Sequence, residues 1–513
     1  MKCFIILVVL ISLFNVDYSD AQKASLNLEV TMCKKSGDFS KNEKVTLVSL
    51  SHEQTQMDDY GRIYDIFYLE DSKNRRIEIK NNIDKLFTFN YDDVQDVWDS
   101  YIITDVLHYL QKKGFQNDLR REVNDESDKV LSDIKYYGLE FQDPYLLTYL
   151  YSLVYKIAPK MFIDGVRRKD INIVLSKDCL LDVRTFPNGT IVMSTGLLSA
   201  LHTEDELVAV LAREIAHIVM DHTIINISKE ETRQKRAEFW SAFATGVTAI
   251  AEGVAAVKND YYMPGLATLG MAALSSDISS RVIDRMGMNF SQEQELISDQ
   301  AALYILEILG YDKNALASAL TRIANHYVKY NEEWNYLKLF TPSMLQDRIA
   351  NVGIAQNGQN KFYEQLVSFA VTNVAAMNFY KGKFACCLEL VRQNIRNHVA
   401  TSDDYLLAAN CLLSLLDNDD SNREVFEMIE SAKAIDPGNI NSYKVEILLM
   451  LRLKKYEKAI GLLENYYGVL AGKTNGESPA LDTTVTQYTF EFVSREQSWA
   501  KRMLCKLKGM LAS

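Results

Sequence analysis

The stretch Leu211-Ala-Arg-Glu-Ile-Ala-His217 decides how this chain is read. A helix that holds a metal for hydrolysis commonly carries H-E-x-x-H. The i, i+4 spacing puts both imidazoles on one face, and the Glu between them takes a proton from a metal-bound water. Here Glu214 stands at the base position and His217 at the second ligand position, but Arg213 fills the first. A guanidinium stays protonated and has no lone pair to offer a metal.

A five-residue pattern is common by chance, so its surroundings carry the weight. Thr203-Glu-Asp-Glu206 reads as a capping box opening a helix, followed by Leu207, Val210, Leu211, Ile215, Ile218 and Val219 at helical spacing. Upstream, Phe186-Pro-Asn-Gly-Thr-Ile-Val-Met-Ser-Thr-Gly-Leu-Leu198 reads as a turn, a short β-branched strand and a glycine break. Downstream, Glu295-Leu-Ile-Ser-Asp299 places two carboxylates at i and i+4 on a second helix. The bland alternatives are a core histidine and an ordinary acidic helix face. The apolar continuation Gln300-Ala-Ala-Leu-Tyr-Ile-Leu306 argues that Glu295 and Asp299 point inward.

Strand, R-E-I-A-H and E-L-I-S-D, in this order, resemble the HtpX- and BepA-like zinc metallopeptidases (peptidase family M48) over residues from about 130 to 355. The resemblance implies a gluzincin peptidase core. In it His217 and Glu295 would be zinc ligands, Glu214 the general base, and Asp299 the carboxylate that orients a ligand His. Ile191, Val192, Met193 and Ser194 would form the edge strand that holds a polypeptide substrate. His222 matches a His common after the family motif, but lies about 140° off the ligand face on a 3.6-residue period, a poor replacement ligand. This chain departs from the family at Arg213, at Ser298 in place of Ala, and at Thr341-Pro342 in place of His-Pro. Two His lost near one metal position read as erosion of a site. An uncompensated set of buried carboxylates is costly, so Arg213 is expected to pair with Asp299 or Glu295 in place of the metal.

Three functional readings follow. The first is an exported zinc metalloendopeptidase acting on polypeptides, with hydrolysis weakened by the missing ligand. The second is an inactive pseudo-peptidase that captures polypeptides or envelope assembly partners through its cleft and helical repeats. The third is an adaptor working through the repeats alone.

The rest of the chain bounds these readings. Its 513 residues leave room for several domains, and 48% hydrophobic content supplies packed cores. A net charge of −12 with no Lys/Arg-rich face argues against nucleic acid as a partner. Residues 1–21, with a charged start, the apolar run Cys3–Phe14 and small residues at Ser19 and Ala21, read as a signal peptide. Export would place the protein in the periplasm or cell envelope of a Gram-negative source. Cys33, Cys179, Cys386, Cys387, Cys411 and Cys505 show no metal or disulfide-scaffold spacing and are expected as buried free thiols.

The predicted architecture is an α-rich α+β chain. Residues 22–95 form a small β-rich module, an SH3-like barrel, with strands at Val45–Leu50, Tyr64–Leu69 and Arg76–Lys80 and a turn at Asp71–Asn74. Residues 96–129 are a helical connector, with a helix predicted from Asp93 through Lys113. The metallopeptidase-like domain covers 130–355, and its first helix carries Leu146, Leu147, Leu150, Leu153 and Val154. Residues 239–276 hold two uncharged runs rich in small side chains, Phe239–Ala251 and Tyr261–Ser276, and read as a buried helical hairpin, or else as an element that touches a membrane or plugs the site. Residues 360–470 read as two to three degenerate tetratricopeptide units that fold as an independent helical unit. In them Phe384 and Tyr456 hold equivalent places 72 positions apart, two units of about 36, and Asp436-Pro-Gly-Asn439 separates repeats. Such repeats form a concave surface for a protein partner. Residues 471–513 are a polar tail and a terminal amphipathic helix near 494–511.

Overall fold

In the computed structural model, the described residues are 23–51, 66–71, 75–80, 86–102, 140–159, 171–229, 290–330, 342–474 and 490–512, with parts of 124–136 and a few single gaps. The signal-peptide reading, residues 103–123 of the helical connector, the segment 239–276, Thr341 and residues 475–489 of the polar tail lie outside them.

Five strands open the chain: β1 (Lys23–Met32), β2 (Lys44–Ser51), β3 (Ile66–Glu70), β4 (Arg76–Lys80) and β5 (Phe87–Phe89). They make one antiparallel sheet in the order β4-β3-β2-β1-β5. The turn predicted at Asp71 is built by its side chain, whose Oδ1 accepts from the backbone N–H of Lys73 (2.9 Å) and Arg75 (2.7 Å). Next comes α1 (Val94–Tyr101), started by Asp93 and Asp96 in a reciprocal capping box. Its Trp98 is fully buried and donates from Nε1 to the Ile157 carbonyl at 2.8 Å. The sheet is therefore not a separate body. One apolar cluster runs from Leu28 through Trp98 and the peptidase helices to Val371.

The central region contains α2 (Pro144–Ile157), β6 (Asn172–Ser176), β7 (Val183–Thr185), β8 (Thr190–Ser194), α3 (Thr195–Ala200), α4 (Glu204–Val219), α5 (His222–Lys229), α6 (Gln292–Leu309), α7 (Ala315–Tyr330) and α8 (Pro342–Val352). A three-stranded sheet has the order β6-β8-β7, with β8 parallel to β6 and antiparallel to β7. The strand Ile191–Ser194 is thus central, buried throughout and paired on both sides. It cannot accept an added strand. The expected role of Ile191, Val192, Met193 and Ser194 as an edge strand that holds substrate is corrected, because among the described residues the edges of this sheet are β6 and β7. The uninterrupted apolar run Ile191-Val-Met193 is itself the mark of a strand covered on both faces. Gly196 lets α3 lie directly on the chain before β7, because a Cβ there would overlap the backbone of Cys179 and Leu180.

The C-terminal region is helical: α9 (Lys361–Leu366), α10 (Ser368–Tyr380), α11 (Phe384–Arg396), α12 (Ser402–Leu415), α13 (Asp419–Ile435), α14 (Asn441–Arg452), α15 (Tyr456–Thr474) and α16 (Phe490–Ala512). From α10 onward each helix packs on the next in the chain. The second helices of three successive hairpins begin at Phe384, Asp419 and Tyr456, an interval of roughly 36 residues. The turn at Asp436–Asn439 separates the second hairpin from the third. These hairpins share a second apolar cluster, but α10 belongs to both: Ala370 and Val371 pack in the first and Val374–Met377 in the second. That shared helix ties the region expected to be an independent unit from 360 to the first cluster. Cys33 and Cys505 are exposed and the other four cysteines in the described residues are buried, so burial holds for four of the six. No helix of the described residues is long and apolar enough to cross a membrane.

Candidate functional site

The helix α4 carries the decisive motif, and every residue from Glu206 to Val219 is buried. Thr203 caps it by accepting from the Glu206 N–H at 3.1 Å. The reciprocal half of the expected capping box is absent, because the Glu206 carboxylate accepts instead from the His202 N–H (2.7 Å) and Arg322 Nε (2.8 Å). Opposite α4 lies α6, opened by a capping box between Ser291 and Gln294 and stopped by Gly310 at φ 76°. Its i, i+4 spacing aims Glu295 and Asp299, each 1% exposed, at the motif face of α4.

The structure brings all the expected site residues on these two helices together. Arg213 bonds Glu214 through Nη1 and Glu295 through Nη2, and its Nε lies 3.6 Å from Asp299 Oδ1. A residue that sequence reasoning passed over completes the set. Arg348 on α8, fully buried, grips Asp299 with both ends of its fork: Nε to Oδ2 at 2.7 Å and Nη2 to Oδ1 at 2.6 Å. Its Nη1 lies 3.0 Å from Glu295 Oε2. The available signal was an arginine between Leu345 and Val352 on the buried stripe of α8, a place where an unpaired charge is not tolerated. Two permanent cations thus face three carboxylates.

His217 Nδ1 lies 2.8 Å from His222 Nδ1, and its ring stacks on Phe290 with centroids 3.7 Å apart. This corrects the placement of His222. The 3.6-residue count assumed one continuous helix, but α4 ends at Met220, and Asp221 at φ 52° turns the chain so that His222 folds back onto His217. Within this pair His222 fixes the ring of His217, as partners of ligand histidines do. Ser298, where the family shows Ala, is fully buried on α6.

Burial sets the protonation states. It pushes Glu214 up to about 7, against the pull of Arg213 and with the push of Glu295. Burial also pushes Glu295 upward, but Arg213 and Arg348 together outweigh it and hold that carboxyl below its usual range. His217 is held well below its ordinary value by burial and then by Arg213, so its imidazole is neutral.

The donor set does not fit zinc. A hydrolytic zinc needs three protein ligands and an open position. Among the buried atoms without a hydrogen-bond partner in the described residues are two of the kind zinc takes, His217 Nε2 and Glu295 Oε1, which lie 4.0 Å apart. The third position is occupied by the Arg213 guanidinium. Among the described residues no group of three His, Cys, Asp or Glu side chains is placed to hold a metal. The adjoining cavity, lined by β7, Arg213, Glu214, Phe290 and Glu295, has about 30 Å³, room for a water or two.

Residues 182–372 match peptidase family M48. The chain contains a peptidase M48 domain. The matched segment takes in β7, β8, both site helices and the start of α10. The chain is also similar to a Vibrio cholerae serotype O1 protein named as a beta-barrel assembly-enhancing protease. The two are 25% identical over 151 residues, 29% of this chain and 28% of that relative. The match makes the chain a metallopeptidase-like protein.

Proposed function

We propose that this chain is a pseudo-peptidase, an exported protein that holds polypeptides in its M48 cleft without hydrolysing them. The observation that carries the reading is the guanidinium of Arg213 between Glu214 and Glu295, where the family motif requires a metal ligand. Glu214 lies in the position of the base, but its carboxylate accepts from Arg213 and has no metal-bound water to deprotonate. The chemistry left to the cleft is recognition. A polypeptide would add to the edge of β7, whose backbone lies beside the cavity, with the ion set as its floor. The hairpins of α10–α15, read as degenerate tetratricopeptide repeats, offer a second surface for an envelope assembly partner.

The test is metal content and proteolysis of the purified mature chain. Substoichiometric zinc, no chelator-sensitive cleavage of casein and no change on Glu214→Gln are the expected results. Robust cleavage that chelators and Glu214→Gln both abolish would overturn the reading in favour of a weakened zinc endopeptidase.

A further inference from the structure

We infer that Arg213 and Arg348 form a two-cation clamp that replaces the metal as the structural centre of the domain, and that Arg213 alone blocks a zinc site whose other parts persist. This rests on reading the cleft as metal-free. In the family arrangement one divalent ion neutralises a ligand Glu. Here the same Glu295 receives Arg213 at Oε2, with Arg348 Nη1 3.0 Å from that same oxygen. Its second oxygen, Oε1, stays without a hydrogen-bond partner among the described residues, as does His217 Nε2 at 4.0 Å.

Both atoms are buried lone-pair donors of the kind zinc takes, and both are held in place. His217 is fixed by His222 at 2.8 Å and by the Phe290 ring, while the Glu295 helix is anchored by the two-point bond of Arg348 to Asp299. Arg213 lies four residues before His217 on α4, on the same face. An imidazole there would supply the third ligand and would free Glu214 from its guanidinium. The clamp explains why the site has not collapsed into an apolar core. Both cations engage Glu295 and Asp299, so losing one leaves buried charge uncompensated.

Three variants test this by thermal melting and by visible absorption with cobalt(II). Arg213→His should melt about 5 °C higher with zinc at roughly 100-fold over its Kd, return on chelation, and show the d–d bands of four-coordinate cobalt. Wild type should show neither. Arg213→Ala should lower Tm by roughly 5–10 °C, and Glu295→Gln added to it should restore at least half of that loss, because it removes the stranded carboxylate. If Arg213→Ala does not fold, Arg213→Lys supplies the same cycle, with a smaller loss because one ammonium cannot bridge two carboxylates. No zinc-dependent shift in Arg213→His overturns the latent site, and simple additivity with Glu295→Gln overturns the clamp. Zinc in the wild type would instead overturn the pseudo-peptidase reading, so the two failures are distinguishable.

Discussion

Two buried carboxylates in this molecule are satisfied in opposite ways. Asp404, in the second hairpin, is fully buried and accepts only neutral donors: Thr401 N–H (2.8 Å), Thr401 Oγ1 (3.0 Å), Thr372 Oγ1 (2.8 Å) and Asn394 Nδ2 (3.2 Å). Burial lifts its carboxyl above the usual range despite those bonds. Glu295, equally buried, is held below its usual range by two guanidinium groups. The hairpins contain a carboxylate as a helix cap, using local polar groups that any folded chain can supply. The M48 core retains a concentration of charge that no capping need explains, and it answers charge with charge.

The largest expected effect tests the charged side of the contrast. Arg348→Ala should cost about 3–5 kcal/mol in urea unfolding, because Asp299 loses its two-point partner and Glu295 keeps only Arg213. Asp404→Ala should cost less, about 1–3 kcal/mol, since what is lost is a set of neutral hydrogen bonds. Equal losses would erase the distinction.

A pH series sharpens it further. The folded value of Glu214, about 7, lies above its ordinary 4.5, so its contribution to stability is present below 4.5 and disappears as pH rises through 7. Glu295 has the reverse sign, keeping its contribution above 4.5 and losing it as acid protonates it. Glu214→Gln should therefore remove about 2 kcal/mol of the stability that the wild type loses between pH 5 and 8. A variant that keeps the full slope would assign that slope to other groups. The smallest effect concerns exposed charge. Lys508→Ala, which breaks the 2.7 Å pair with Glu464 between α16 and α15, should change stability by less than about 0.5 kcal/mol.

Motifs with local physical causes were legible in the sequence. The helix of Leu211–His217, the inward pair Glu295 and Asp299, the strand Arg76–Lys80 and the turn at Asp436 all follow from spacing over a few residues, and each forms as read. The pairing of Arg213 with Glu295 was legible too, because charge neutrality in a buried site admits few partners. What was not legible depends on where the chain changes direction. His222 returns to the site only because Asp221 takes a left-handed backbone. The edges of the sheet are β6 and β7 rather than β8, since strand order is fixed by long-range pairing that an apolar pentapeptide does not encode. Arg348 lies 49 residues beyond Asp299, and no periodicity connects them. The helical hairpins were visible as a repeat, but their border was not, because Ser368–Tyr380 reads the same whether it closes one core or opens another.

That shared helix governs how force travels. With Ala370 and Val371 packed in one core and Val374–Met377 in the next, α10 joins the two cores. It rests on α3, which Gly196 seats against the backbone leading into β7. Under the proposed reading, a partner pulling on the hairpins would pull on the wall of the cleft, and a polypeptide seated on β7 would be felt by the hairpins in return.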